Sequence, residues 1–217
     1  MGKYHTVLFD MDGTILDTLD DLTDSVNHTL QEMGCPERTR EEVRAYLGYG
    51  SRRLIEQALG ETAKPSVVDE AFRIYRAWYG AHTQIKTKPY DGIADVMRAL
   101  RAHGIRVAVA SNKPEEMVKK LCEYHFPALA DAAVGDVEGR ARKPHSDMID
   151  AVLERLGAPH SGAVYVGDTE VDVQTAQNAE LPMIAVGWGF RSKKQQIAAG
   201  ATVFADTPDE LLALLTE

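Results

Sequence analysis

The residues Val7-Leu8-Phe9-Asp10-Met11-Asp12-Gly13-Thr14 decide how this chain is read. Three apolar residues in a row read as a short strand buried on both faces. Two carboxylates follow with one residue between them, and Gly13 ends the strand. If strand geometry carries on, alternate side chains point the same way, so Asp10 and Asp12 address one spot beyond the strand's carboxyl end. Ligands bind at that end in open α/β sheets. Two like charges there repel, and they need a cation, a shared proton, or both. A hard divalent cation such as Mg²⁺ suits oxygen ligands. On its own, Asp-x-Asp-Gly also reads as a solvated turn, so the rest of the chain decides.

Beyond Thr14 the pattern is helical as far as His82. A polar helix runs from about Leu19 to Met33 and stops at Gly34 and Pro36. Thr39-Arg40-Glu41-Glu42 looks like a capping box opening a helix to about Leu47. Gly48-Tyr49-Gly50 is a break, and Ser51 caps a helix to about Leu59. Ser66 and Asp69 open another to about His82, and the block shows no convincing strand. After Pro89-Tyr90-Asp91-Gly92 the pattern changes. Helices at about 93–103, 115–124, 145–156 and 170–179, and one at the C-terminus, alternate with strands at about 105–110, 131–134, 163–166, 183–186 and 201–204. That alternation predicts a parallel sheet covered on both faces. The expected organisation is a core of 1–16 and 84–217 with a helical cap, 17–83, spliced in after the first strand. The joints, near 15–18 and 83–91, form a hinge over the carboxyl end of the sheet, where a closing cap excludes water.

The bulk properties bound the function. The chain has 217 residues, enough for one large domain or two small ones. Its net charge of −9 disfavours non-specific nucleic-acid binding, which needs a basic surface. Cys35 and Cys122 are isolated, which argues against structural zinc and suits a reducing cytosol. No apolar run reaches the ~18 residues of a membrane span, so a cytoplasmic location without a membrane partner is expected. Met1-Gly2-Lys3-Tyr4-His5-Thr6 matches an N-myristoylation pattern, discounted because the first strand follows almost at once. Oligomeric state is expected to be monomer or homodimer.

Polar residues collect at the predicted strand ends. Ser111 and Asn112 follow the second strand, Lys143 precedes a helix, and Asp168 and Asp172 follow a later strand in Gly167-Asp168-Thr169-Glu170-Val171-Asp172. Singly these are helix caps or surface charges; together they offer a nucleophile, an acid/base, a hydroxyl donor, a cation and an acidic metal cradle. That set suits phosphoryl transfer. Mg²⁺ on Asp10 and Asp168, with Lys143, neutralises a phosphate monoester that otherwise repels an attacking carboxylate. Asp10 then attacks phosphorus, and Asp12 protonates the leaving alcohol and later deprotonates water.

These four motifs, Asp10-Met11-Asp12-Gly13-Thr14, Ser111-Asn112, Lys143-Pro144 and Gly167 to Asp172, resemble those of the haloacid dehalogenase superfamily, over nearly the whole chain. The resemblance implies a Rossmann-like α/β core with an inserted all-helical cap, and a Mg²⁺-dependent phosphatase of a small phosphorylated metabolite. It makes Asp10 nucleophile and metal ligand, and Asp12 acid/base with its backbone carbonyl on the metal. Ser111 and Lys143 bind the phosphoryl group, Asp168 ligates the metal, and Asp172 supports it through water. Thr14, Asn112 and, in the cap, Gly48 join the substrate site. Within the superfamily, Tyr46-Leu47-Gly48-Tyr49-Gly50-Ser51, Leu54, Ala58-Leu59 and Ser111-Asn112-Lys113-Pro114 are most similar to phosphoglycolate phosphatases. Arg52 and Arg53 are then candidates to read a substrate carboxylate or second phosphate, and Trp188 and Phe190 to line the cleft.

Rival chemistries differ at Asp12. Dehalogenases and carbon–phosphorus hydrolases of this superfamily are expected to lack it, and it is present here. A β-phosphoglucomutase-like phosphomutase remains a rival, because its cap resembles this one and the outcome depends on closed-state geometry, and pyrophosphatases, nucleotidases and sugar phosphatases share the architecture. A non-catalytic binding protein would show a broken set of motif residues, and here every one stands.

Overall fold

The opening apolar run becomes β1, Thr6–Phe9, with all four residues buried. The computed structural model describes residues 3–60 and 62–217; Met1 and Gly2 of the acylation pattern lie outside the described residues. After β1 come β2 (Leu16–Asp17), four helices α1 to α4 (Leu19–Glu32, Arg40–Tyr46, Ser51–Leu59, Pro65–Ala81) and β3 (Lys88–Pro89). Then the chain alternates: α5 (Ile93–Ala102), β4 (Arg106–Pro114), α6 (Glu115–His125), β5 (Ala132–Asp136) and α7 (Asp147–Leu156). It finishes with β6 (Ala163–Gly167), α8 (Glu170–Asn178), β7 (Met183–Val186), α9 (Lys193–Ala199), β8 (Phe204–Ala205) and α10 (Pro208–Thr216).

Six strands form one sheet in the order β5-β4-β1-β6-β7-β8, every pair parallel. From β1 the chain fills one side through β4 and β5, then returns to fill the other through β6, β7 and β8. The crossovers diverge at β1, which opens a crevice at its carboxyl end. Alternation along β1 sorts its side chains between the layers. Val7 and Phe9 join Ile93, Met97 and Leu121 on one face, and Leu8 joins Met148, Val152 and Tyr165 on the other. The cap helices build a separate core of Leu22, Val26, Leu54, Tyr75 and Tyr79.

Local signals explain most element ends, and the exceptions are physical. Thr39 and Glu42 form the expected capping box at α2. At α3 the cap is Gly50, with φ +89°, and Ser51 is the first helical residue. Pro65, whose fixed φ suits the first turn, opens α4 ahead of Ser66. A helix not read from the sequence, α9, starts at a Ser192/Gln195 capping box and ends at a left-handed Gly200. That C-terminal turn takes the Ala201 amide for Gln196, so β8 forms at 204–205 rather than 201–204. Among the described residues no helix is long and apolar enough to cross a membrane.

The joints of the cap hold the remaining difference. β2 and β3 pair antiparallel, Leu16 opposite Pro89 and Asp17 opposite Lys88. Two-residue strands carry no periodicity to read. Just beyond them, the buried Asp21 carboxylate of α1 accepts the backbone N–H groups of Ile85, Lys86 and Thr87 at 2.9–3.0 Å. Asp21→Ala strands these donors and is expected to cost about 2 kcal/mol in urea unfolding. A loss under about 0.5 kcal/mol, the scale of an ordinary surface change, would contradict the anchoring.

Candidate active site

The crevice at the end of β1 gathers three acidic side chains. Asp10 follows β1 directly, and its N–H donates to the Val166 carbonyl at 2.8 Å. Asp168 follows β6, and Asp172 sits in the first turn of α8. One carboxylate oxygen from each of Asp10, Asp168 and Asp172 lies within 4.8 Å of the others, all three buried. Lys143, from the loop between β5 and α7, reaches into this group. Its Nζ donates to Asp10 Oδ1 at 2.7 Å, Asp172 Oδ1 at 2.8 Å and the Tyr165 hydroxyl at 2.9 Å. An ammonium has three N–H groups, so these contacts use them all; an entering phosphoryl group has to share Lys143 with them.

The protonation pattern follows from burial and charge. Burial pushes Asp10 well above the usual carboxylate range; Lys143 opposes this, while Asp172, Asp168 and Asp12 add to it. Burial, then the Asp172 charge, raises Asp168 to about 7, against the Phe190 N–H and the Thr14 hydroxyl. Burial acts on Asp172 in the same direction but is outweighed by Lys143 and by the Thr169 hydrogen bonds, so Asp172 is lowered. Lys143 loses to burial and gains more from Asp10 and Asp172, and stays charged. The donor set is all oxygen and acidic, which fits a hard divalent cation, and such an ion would offset the burial and like-charge repulsion that raise Asp10 and Asp168.

Asp168 is fixed from all sides. Thr14 Oγ1 donates to its Oδ1 at 2.9 Å and the Phe190 N–H to its Oδ2 at 2.6 Å. A Cβ on Gly13 (φ +87°) would stand 2.5 Å from Asp168 Oδ2, and one on Gly189 2.3 Å from its Cβ. The glycine of Asp-x-Asp-Gly thus serves both the turn and the approach of Asp168. Thr14, expected at the substrate, spends its hydroxyl on Asp168.

Asp12 lies outside this cluster but on the same cavity as Asp10. Its Oδ1 lies 3.1 Å from Lys113 Nζ, so any role at a metal would fall to its backbone carbonyl. Ser111 is buried beside it, its Oγ accepting the Lys113 N–H at 3.3 Å. Asn112 organises its surroundings: Nδ2 donates to the Gly48 carbonyl and to the Lys143 carbonyl, both at 3.0 Å, and Oδ1 accepts the Lys143 N–H at 2.8 Å. Asp10, Asp12, Ser111, Asn112, Lys113 and Lys143 line the core side of a cavity of about 50 Å³, and Gly48, Ser51 and Tyr75 line its cap side.

Arg52 stands apart from it. Its Nη2 donates to Asp69 at 2.7 Å and its Nε lies 3.5 Å from Glu56; Arg53 also pairs with Glu56, at 3.2 Å. The phase of α3 turns Leu54, Ile55 and Ala58 inward, which leaves both arginines on the far side. Phe190 lines the cavity, whereas Trp188 donates its indole N–H to the Thr14 carbonyl at 3.0 Å.

Sequence reasoning passed over a cross-clamp that holds the cap down. The buried Arg191 donates to the carbonyls of Arg44 and Leu47 at 2.9 and 2.7 Å and pairs with Glu170 at 2.8 Å. Arg44 answers from the cap, its Nε donating to the Phe190 carbonyl at 2.8 Å. No local motif marks such pairs. Tyr165 was passed over too, as a strand residue whose hydroxyl end reaches the site. Lys113 had a signal: β4 runs through Pro114, and period-2 alternation puts 111 and 113 on one side of it.

Comparison with known proteins gives one family. The model for haloacid dehalogenase-like hydrolases matches residues 7–186. The chain is 32% identical over 192 residues to a phosphoglycolate phosphatase from Aquifex aeolicus, covering 88% of each chain. It is 34% identical over 188 residues to one from Agrobacterium fabrum, covering 84% of this chain and 80% of that one. Among solved structures, a proposed phosphoglycolate phosphatase from Lactobacillus delbrueckii subsp. bulgaricus superposes with a TM-score of 0.95 at 37% identity, over 99% of each chain. CbbY from Rhodobacter sphaeroides, in complex with xylulose-(1,5)bisphosphate, superposes with a TM-score of 0.81 at 25% identity, over 99% of this chain and 100% of that one.

The raised carboxylates make a stability statement. A group whose folded pKa exceeds its unfolded value weakens the fold as pH rises between the two. For Asp168 that interval runs from the ordinary carboxylate value of 3.8 to about 7, and Asp10 acts in the same sense. In EDTA, the melting temperature is therefore expected to rise as pH falls from about 8 to about 5, and saturating Mg²⁺ to flatten that dependence. Parallel profiles with and without the ion would contradict the electrostatic reading.

Proposed function

The chain belongs to the haloacid dehalogenase-like hydrolases and is a phosphoric monoester hydrolase, and we propose that it is a Mg²⁺-dependent phosphatase of a small monoester, with 2-phosphoglycolate as the leading substrate. The observation that carries this reading is that Asp10 and Asp12 open onto one cavity while an all-oxygen cluster stands behind Asp10.

In the proposed reaction Asp10 attacks phosphorus as the bond to the leaving oxygen breaks, and an aspartyl-phosphate forms. Asp12 gives its proton to that oxygen, so a neutral alcohol departs. Asp12 then takes a proton from water as the water oxygen attacks phosphorus; the bond to Asp10 breaks and inorganic phosphate leaves. Lys143 holds the Asp10 carboxylate in place and offsets its charge, and Ser111 is placed to donate to a phosphoryl oxygen. Asp10, Asp168 and the backbone carbonyl of Asp12, with Asp172 behind them through water, would hold Mg²⁺, which would neutralise charge on the transferred phosphoryl group. Asn112 and Gly48 tie the cap loop to this site. The same proposal divides the chain into a core of 1–16 with 84–217 and a cap of 17–83, joined through the β2–β3 ribbon.

The cavity between the core strands and the helices above them is small, about 50 Å³, which favours a short ester over a hexose or nucleoside phosphate. The relatives named as phosphoglycolate phosphatases point to the same ester.

Asp10→Asn is expected to keep the wild-type circular dichroism spectrum and to lose roughly 10³-fold or more in phosphate release. Full activity in that variant would remove the nucleophile. Asp12→Asn is expected to slow both formation and decay of the phosphoenzyme by ~10²–10⁴-fold, which rapid-quench kinetics would read; normal rates in both steps would remove the acid/base. EDTA abolishes turnover and Mg²⁺ restores it on this reading, and indifference to chelation would sink the metal assignment.

A further inference from the structure

The cavity holds two polar groups that the phosphoryl chemistry does not use. Lys113 is 4% exposed, and its ammonium donates to the Tyr79 hydroxyl and faces Asp12 at 3.1 Å. Those contacts leave a third N–H, whereas Lys143 has none to spare. Tyr75 is 1% exposed and lines the same cavity, and its hydroxyl, with the Ser51 side chain beside it, makes no hydrogen bond of normal geometry. A buried hydroxyl without a partner is costly, and a native structure that keeps one calls for a reason. The two groups are linked through the cap: Tyr79 accepts the Lys113 N–H and stacks on Tyr75 with ring centroids 5.3 Å apart.

Their position gives the ligand chemistry. Asp12 handles the leaving oxygen, so Lys113, beside it, stands where the alcohol half of the ester departs. We propose that Lys113 and Tyr75 form the subsite for a carboxylate on the leaving-group half of the substrate, which rests on the phosphatase reading above. A carboxylate there accepts from both groups at once. A neutral tail of the same size leaves the Tyr75 hydroxyl and the third Lys113 N–H unpaired, and sites built this way reject the analogue that lacks the polar group. Arg52, the cap cation expected to read such a group, is occupied by Asp69 and Glu56 outside the cavity. The subsite also belongs to the closed cap, because Tyr75 and Tyr79 come from α4 and Lys113 from the end of β4.

The test uses inert analogues, so it does not depend on turnover. In Mg²⁺, calorimetry compares 3-phosphonopropionate, shaped like 2-phosphoglycolate with a methylene for the bridging oxygen, with n-propylphosphonate, which lacks the carboxylate. The wild-type protein is expected to bind the first at least about tenfold more tightly, the scale of a charge-assisted hydrogen bond. Lys113→Met is expected to bring that ratio close to one. Tyr75→Phe, which removes only the unpartnered oxygen, is expected to cut it by roughly fivefold. Equal affinities in the wild type, or a preference that survives both substitutions, would overturn the subsite. Hydrolysis of 2-phosphoglycolate is measured in parallel. A carboxylate preference without turnover would count against the phosphatase reading while upholding the subsite.

Discussion

The site depends on one buried ammonium. Asp10, Asp168 and Asp172 crowd together at the carboxyl end of the sheet, and burial alone would force protons onto them. Lys143 divides its three N–H groups between Asp10, Asp172 and Tyr165. One partner, Asp10, is the proposed nucleophile; the other, Asp172, also caps α8 through Thr169. The same lysine therefore ties the end of β1 to the start of α8. Breaking a buried pair by removing one partner leaves an uncompensated charge, which is costly. Lys143 cannot neutralise every carboxylate around it, so the remaining charge is met by protons, by a further cation, or by both.

The second constraint is the cap. Its helices share an apolar cluster that takes in Phe190, and they complete the cavity above the sheet. The contacts that join them to the core include Arg191 to the carbonyls of Arg44 and Leu47, Arg44 to Phe190, Asn112 to Gly48 and Lys113 to Tyr79, with Phe190 and Met117 packed against the helical cluster. Polar contacts of this kind exchange with water at modest net cost. Asn112 is central because the same side chain also fixes the backbone of Lys143. Closure of the cap and placement of the charged lysine are thus linked through one amide.

Much of this was legible in the chain. The core strands announce themselves as apolar runs ending in Asp or Ser, and the helices between them as amphipathic segments with glycine stops. The parallel sheet and the inserted helices follow from that rhythm, and the resemblance to haloacid dehalogenase-like phosphatases rested on residues that the structure brings to one crevice. What the sequence hid had physical causes. The β2–β3 ribbon is too short to show a period. α9 was missed although its Ser192/Gln195 capping box and Gly200 stop are both written locally. Arg52 was placed at the substrate by its position after the glycine loop, but the phase of α3 sends it outward. Lys113 and Tyr75 lie 38 positions apart in sequence, and only the closed cap makes them neighbours of one cavity.

The central claim is that the phosphoryl group passes through Asp10. Single-turnover acid quench with ³²P-labelled 2-phosphoglycolate in Mg²⁺, followed by peptide mapping, tests it most directly. The expected result is transient label on the peptide that contains Asp10, stable in acid and released by hydroxylamine. Release of labelled phosphate with no protein-bound label at any quench time would contradict it.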